Sequence, residues 1–282
     1  MNTFLLLAPL PALLASLFLM QAVGVGSWIW GQQAIVSFFC FSVCALALRK
    51  PREPFSEKLH LRWALLSLAL LVIPCLASVD APRRWIELPG FRLYVAPVIL
   101  PAVLFVLASL QRRTSSSMRG AWLYVAIATA LALQPDASQV TAFSTAASLS
   151  LLIGSASKRV KATAIAALAA CTLWAWSRPD PLEPIPHVEG VLGLAWDLGP
   201  LAFIAAVLTL ALPFLGLLTA GVAHRQLGLG VAGVYYLVVC LLAGSTQLTP
   251  MPLLGFGAGP ILGYFVLVSM APSPLRERDE LT

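Results

Sequence analysis

Apolar runs about as long as a bilayer-spanning helix recur along almost the whole chain, and only short polar segments separate them. Crossing a hydrocarbon core takes about 20 mostly apolar residues at a helical rise of 1.5 Å each. On that measure the pattern predicts ten helices, over residues 3–23, 29–48, 63–79, 93–111, 120–134, 138–154, 162–177, 199–220, 228–245 and 252–270. Two short ones flank Gln134-Pro135-Asp136, which divides what would otherwise be one long run. The expected fold is an all-α integral membrane protein, with a polytopic transmembrane domain over residues 1–271 and a charged tail over 272–282. The tail has too little apolar area to fold alone. The first run lacks a basic flank and exceeds a signal-peptide core, so a retained helix is expected.

Composition agrees, with 59% hydrophobic and 11% charged residues and a mean hydropathy of +0.88, against the roughly 45–50% apolar content of soluble domains. The net charge of +6 does not indicate nucleic acid, because no basic stripe lies on a foldable soluble element. The positive residues sit in loops, and their sides alternate. One side receives 14 of the 18, from Arg49 to Arg278, and the other only Arg83, Arg84, Arg92 and Arg178. Basic loops stay cytoplasmic, so both termini are expected in the cytoplasm. Cys40, Cys44, Cys75, Cys171 and Cys240 all lie in apolar runs without CxxC or Cys/His spacing. They read as small apolar residues, and neither a metal nor a cofactor is expected.

Polar residues gather in four clusters, all assigned to the side poor in positive charge. In DAPRRWIELPGFRLY, Asp80 to Tyr94, the guanidinium groups of Arg83 and Arg84 suit bidentate phosphate binding. The alternative is interfacial anchoring, with Arg paired to Glu87 or headgroups and Trp85 in the aromatic belt. In LQPDASQ, Leu133 to Gln139, Asp136 is placed to cap the following helix, with a direct ligand role as the alternative. SRPDPLEPIPHVEG, Ser177 to Gly190, carries Asp180, Glu183, His187 and Glu189. A carboxylate beside the membrane there has reason for a raised pKa and a general-base role; Glu189 is the first candidate and His187 the second, against a merely solvated loop. TPMPLLGFGAGPILGYF, Thr249 to Phe265, contains the Gly255-to-Gly259 spacing that permits close helix approach. Asp197, amid Gly190, Gly199 and Pro200, is an ionisable residue near membrane depth, either functional in a broken segment or a helix cap.

Taken in order, PRRWIELPG, LQPDASQ, PIPHVEGVLGLAWDLG and TPMPLLGFGAGP resemble the motifs of the SEDS family of bacterial cell-division and cell-shape proteins, the FtsW/RodA type, over about Asp80 to Pro272. The family patterns are loosely G-x-R-R-W-I with a Q-P-S-E stretch, Q-P-D-L-G-T, P-E-x-H-T-D-F-I-F leading to G-E-E-L-G, and P-x-P-L-P-F-I-S-Y-G-G-S-S. The chain departs from them: Glu189 stands where the family has its catalytic Asp, YVAP replaces Q-P-S-E, FGAGP replaces Y-G-G-S-S, and the preceding outer loop is cut to about a dozen residues. The resemblance implies a divergent, shortened, SEDS-like bundle of the bacterial cytoplasmic membrane, acting in peptidoglycan synthesis. It further implies a lipid II glycosyltransferase with Glu189 and His187 as catalytic residues, and Arg83, Arg84, Trp85, Gln134 and Asp136 near a lipid-linked peptidoglycan precursor. A class B penicillin-binding protein is the implied partner. The alternatives are a non-catalytic SEDS-like subunit that binds a partner or polyprenyl lipid, and a small transporter centred on Asp197.

Overall fold

A computed structural model describes residues 2–49, 56–77, 83–88, 91–113, 116–180, 182–223 and 230–270. The charged tail over 272–282 and Asp80 lie outside the described residues. The elements are α1 (Asn2–Leu7), α2 (Leu10–Ala22), α3 (Ser27–Leu48), α4 (Glu57–Ala77), β1 (Trp85–Leu88), β2 (Phe91–Tyr94), α5 (Val95–Gln111), α6 (Ser117–Leu133), α7 (Ala137–Ile153), α8 (Lys158–Trp176), α9 (Val191–Asp197) and α10 (Pro200–Ala223). A π-helical turn (Gly230–Tyr235) then leads into α11 (Tyr236–Ser245), and α12 (Ala258–Met270) follows. With α1 and α2 counted as one broken segment, and the π turn with α11 as another, the described residues supply the ten predicted spans in order.

The architecture is a multi-pass helical membrane bundle. Nearly every residue of α5 is buried, and α12, α4, α6 and α7 surround it. Lipid tails are as apolar as Leu, so contact between such helices depends on small residues that let backbones approach. Ala121, Ala128, Ala132, Ala142, Ala146 and Ala147 are accordingly all inaccessible. The outer helices show the reverse: Trp28 and Phe38 on α3 and Leu201, Leu208 and Val222 on α10 are exposed, as a lipid-facing surface requires.

Helices α5 and α12 approach each other closely. A Cβ on Gly263 would stand 2.0 Å from the Pro97 carbonyl oxygen, and one on Gly259 would stand 2.8 Å from Pro97 Cγ. The small-residue spacing noted at Gly255 to Gly259 thus continues one turn further, to Gly263. Gly263→Ala must push α12 off the central helix; overpacking of this kind costs about 1–3 kcal/mol. The expected result is a lower thermal midpoint of the detergent-solubilised protein, with no such loss for Gly31→Ala, whose Cβ meets nothing within 4 Å.

Several expected boundaries differ, and α4 begins at Glu57 rather than 63. The first run is interrupted at Ala8-Pro9, where Pro9 lacks an N–H for the ladder. Helix 93–111 begins at Val95, because Phe91–Tyr94 forms a strand. The last helix begins at Ala258 rather than 252, since Pro250, Pro252 and Gly257, with φ of 150°, hold an irregular segment. The helix expected over 228–245 starts in a π turn at Gly230, and the short α9 precedes Gly199, whose φ of 125° breaks it from α10.

The loops sort into two ends. His60 on α4 lies in the field of Arg113, Ser155 N donates to the Gln111 carbonyl at 2.8 Å, and Lys161 Nζ to the Leu152 carbonyl at 3.0 Å. These contacts gather the α5–α6 and α7–α8 loops with the start of α4 into a basic end. The four polar clusters gather at the other.

Candidate functional site

At the polar end, the segments WIEL and FRLY pair as antiparallel strands, a hairpin whose connecting residues lie outside the described ones. Its register pairs Trp85 with Tyr94, Ile86 with Leu93, Glu87 with Arg92 and Leu88 with Phe91. Trp85 lies against the Tyr94 ring at 6.0 Å. Glu87 pairs with Arg92 at 3.2 Å, both largely exposed, so the anchoring partner expected for Arg83 or Arg84 is taken by the cross-strand neighbour. The adjacent arginines diverge: Arg83 is exposed and Arg84 is 4% exposed.

Arg84 reaches under the hairpin to the α6–α7 turn. Its Nε donates to the Gln134 carbonyl at 3.3 Å, its Nη2 to the Pro135 carbonyl, and its Nη1 meets Asp180 Oδ2 at 2.9 Å. Asp136 Oδ2 is 3.9 Å from Arg84 Nε and accepts the Tyr94 hydroxyl at 2.5 Å. Burial works against the Arg84 charge, but Asp136, Tyr94 and Asp180 together hold its pKa above the usual arginine value. Asp136 also caps α7, as the turn chemistry predicts. Its Oδ1 accepts from Gln139 N at 3.3 Å and Ser138 Oγ at 3.2 Å. Gln134, fully buried, donates from Nε2 to the Leu71 carbonyl at 2.6 Å, while its Oε1 has no partner.

A second polar chain runs from α7 to the irregular 249–257 segment. Gln139 Nε2 donates to Thr249 Oγ1 at 2.9 Å, and its Oε1 accepts the Tyr236 hydroxyl at 2.5 Å. That segment docks on the 177–190 loop. Met251 N donates to the Val188 carbonyl at 3.0 Å, and Phe256 N to the His187 carbonyl at 2.9 Å. Gly255 is required for this fit, since its Cβ would stand 2.1 Å from Val188 O. From α3, Gln33 Oε1 accepts from Gly257 N at 2.9 Å while its Nε2 donates to the Gly255 carbonyl at 3.2 Å and to Ser16 Oγ at 2.8 Å.

Glu189 sits on the docked loop, half-buried, with Oε2 accepting from Ile185 N at 2.8 Å. Burial raises its pKa, the Ile185 N–H opposes this, and Asp180 adds to the rise. Burial also lowers the pKa of His187, whose ring is 6.1 Å from that of Phe256. His187, two residues away in the sequence, is therefore biased to neutrality. The Glu189 carboxyl holds its proton to a higher pH than an ordinary glutamate and is the stronger base when ionised. Asp197 is exposed and ends α9.

Gln134 and Asp136 thus meet Arg84 directly, and Trp85 packs above them through Tyr94. Glu189 and His187 occupy a neighbouring loop, tied to the same core through Asp180 and Arg84. Gln33, Tyr94, Gln139 and Tyr236 were not expected as members. A polar Gln32-Gln33 pair inside an otherwise apolar run was the only trace of Gln33.

No protein-family profile and no curated protein matches the sequence. Among solved structures, the Thermus thermophilus rod shape determining protein RodA superposes with a TM-score of 0.70 over 99% of this chain and 97% of that one, at 15% identity. A chain from a peptidoglycan synthase complex, described as coordinating polymerization and crosslinking, superposes with a TM-score of 0.69 over 94% of this chain and 96% of that one, at 17% identity. Together with the ten spans and the four polar clusters gathered at one end, these superpositions identify the bundle as a SEDS-like, RodA-type fold.

Proposed function

We propose that the protein acts in bacterial peptidoglycan synthesis as a multi-pass protein of the cytoplasmic membrane, both termini cytoplasmic, polymerising lipid II at its polar end. The supporting observation is Glu189: a half-buried carboxyl with a raised pKa on a loop docked across two other polar segments. Glu189 takes the proton of the attacking sugar hydroxyl. That oxygen bonds to the anomeric carbon of the second lipid-linked sugar, and the bond to its polyprenyl pyrophosphate breaks. Arg83, exposed beside the hairpin, meets the leaving pyrophosphate. Arg84 orders the turn and the loop, and His187, Trp85, Gln134 and Asp136 shape the surroundings.

The raised pKa sets a sign. Below it the carboxyl is protonated and cannot act as a base, so polymerisation rises as pH increases through a value above the ordinary carboxylate range. Glycan formation from lipid II, followed in detergent across pH, measures this limb. A rate already flat from pH 4.5 upward, the reference value for Glu, contradicts the assignment.

A second reading is favoured by the internal commitment of Arg84: a non-catalytic SEDS-like subunit that holds a class B penicillin-binding protein or a polyprenyl lipid. It predicts lipid and partner binding that Glu189 variants leave untouched.

A further inference from the structure

A second polar feature lies at the opposite, basic end, away from the proposed site. A cavity of about 160 Å³ opens between the ends of α5 and α7, lined by Gln111, Arg112, Ser150, Gly154 and Ser155 among others. Gln111 is 1% exposed. Its Nε2 donates to the Ser117 carbonyl at 2.8 Å, which fixes the amide orientation and leaves Oε1 buried without a partner. The amide is seated between two glycines, since a Cβ on Gly120 would stand 2.7 Å from Nε2 and one on Gly154 3.0 Å from Oε1.

An unpaired buried acceptor costs stability until a donor reaches it. Two further features say which donor. The cavity lies where α5 and α7 both end, capped by Arg112 and Gly154; carbonyls at helix C-termini carry partial negative charge that favours a cation, as Lys161 Nζ on the Leu152 carbonyl shows, while Ser155 N takes the Gln111 carbonyl. Ser150 accepts the Tyr124 hydroxyl at 2.8 Å, which leaves the serine O–H to donate to an oxygen of the same ligand. Arg112, exposed, lines the cavity and brings a guanidinium suited to a phosphate. The required ligand therefore carries an ammonium a few bonds from a phosphodiester, and it lies at the level of the loops, where headgroups are found.

We infer that this cavity binds the headgroup of an aminophospholipid, phosphatidylethanolamine, with its ammonium on Gln111 Oε1 and its phosphate at Arg112. The site is independent of the proposed polymerase reaction. The test uses the full chain in detergent micelles and reads the thermal midpoint and lipid affinity with phosphatidylethanolamine, phosphatidylcholine or phosphatidylglycerol of identical acyl chains.

Phosphatidylethanolamine should raise the midpoint and bind about tenfold more tightly than phosphatidylcholine, which has no N–H to donate. That difference should vanish in Gln111→Met; the wild-type comparison stands even where this variant fails to fold. Equal response to the ethanolamine and choline lipids, or a preference for the glycerol lipid, overturns the inference. Soluble phosphoethanolamine producing the full shift would reassign the site to a free amine and overturn the lipid assignment.

Discussion

Glu189→Gln should lower glycan polymerisation by about 10²–10⁴-fold, the usual contribution of a general base, while the thermal midpoint and the position of the loop stay near wild type. The asymmetry between chemistry and stability follows from the contacts of the side chain. Ile185 N donates to Glu189 Oε2, and a glutamine oxygen accepts the same bond, so the turn survives. The proton acceptor does not. A Gln variant that retains more than a tenth of the wild-type rate would remove Glu189 from the mechanism and favour the non-catalytic subunit.

Asp136→Ala should have the largest effect on folding, about 2–4 kcal/mol, the sum of a lost N-cap and a buried tyrosine hydroxyl left without an acceptor. The alanine would deprive Tyr94 of its acceptor, uncap α7 at Gln139 N and remove the more distant of the two carboxylates facing Arg84, which keeps Asp180 and two carbonyls. Asp136→Asn keeps an acceptor oxygen and removes only the charge, so its loss should be smaller. Thermal denaturation of the solubilised variants, with Arg84→Met and the double variant Arg84→Met/Asp136→Asn, separates the terms. The double variant should lie above the sum of the singles, because each single already removes the same Arg84–Asp136 interaction. Simple additivity would mean that Arg84 draws little from Asp136.

The outline of the bundle was legible because bilayer solvent imposes a coarse rule: about 20 apolar residues per crossing. Ten apolar runs were read from it and helices formed at all ten, four of them (Thr3–Ala22, Ser27–Leu48, Glu57–Leu76 and Pro200–Val222) long and apolar enough to cross a membrane by length and composition. Asp136 was legible for a similarly local reason, since an N-cap needs only its own turn. The hairpin was missed although Pro89-Gly90 stands between two four-residue segments rich in strand formers, a usable turn signal. The reading left this stretch as an outer polar cluster and started the next helix at 93, inside the second strand.

What no local pattern reveals is which of two like residues turns inward. Arg83 and Arg84 are chemically identical neighbours, yet one is exposed and the other is spent on Asp136 and Asp180. The difference is set by the α6–α7 turn 50 residues away. Gln33 illustrates the same limit: it bridges α3 to the 255–257 segment over 222 residues of sequence separation. Such ties exist only after the helices have packed. The order of the four polar clusters was visible in the chain, but their mutual hydrogen bonds were not.

The most direct measurement is glycan-strand synthesis from lipid II by the purified protein, alone and with a class B penicillin-binding protein whose own active site is blocked. Polymerised strands in either arm are the predicted result. Lipid II that is bound by the folded protein yet remains unpolymerised in both arms would contradict the assignment of this bundle as a polymerase.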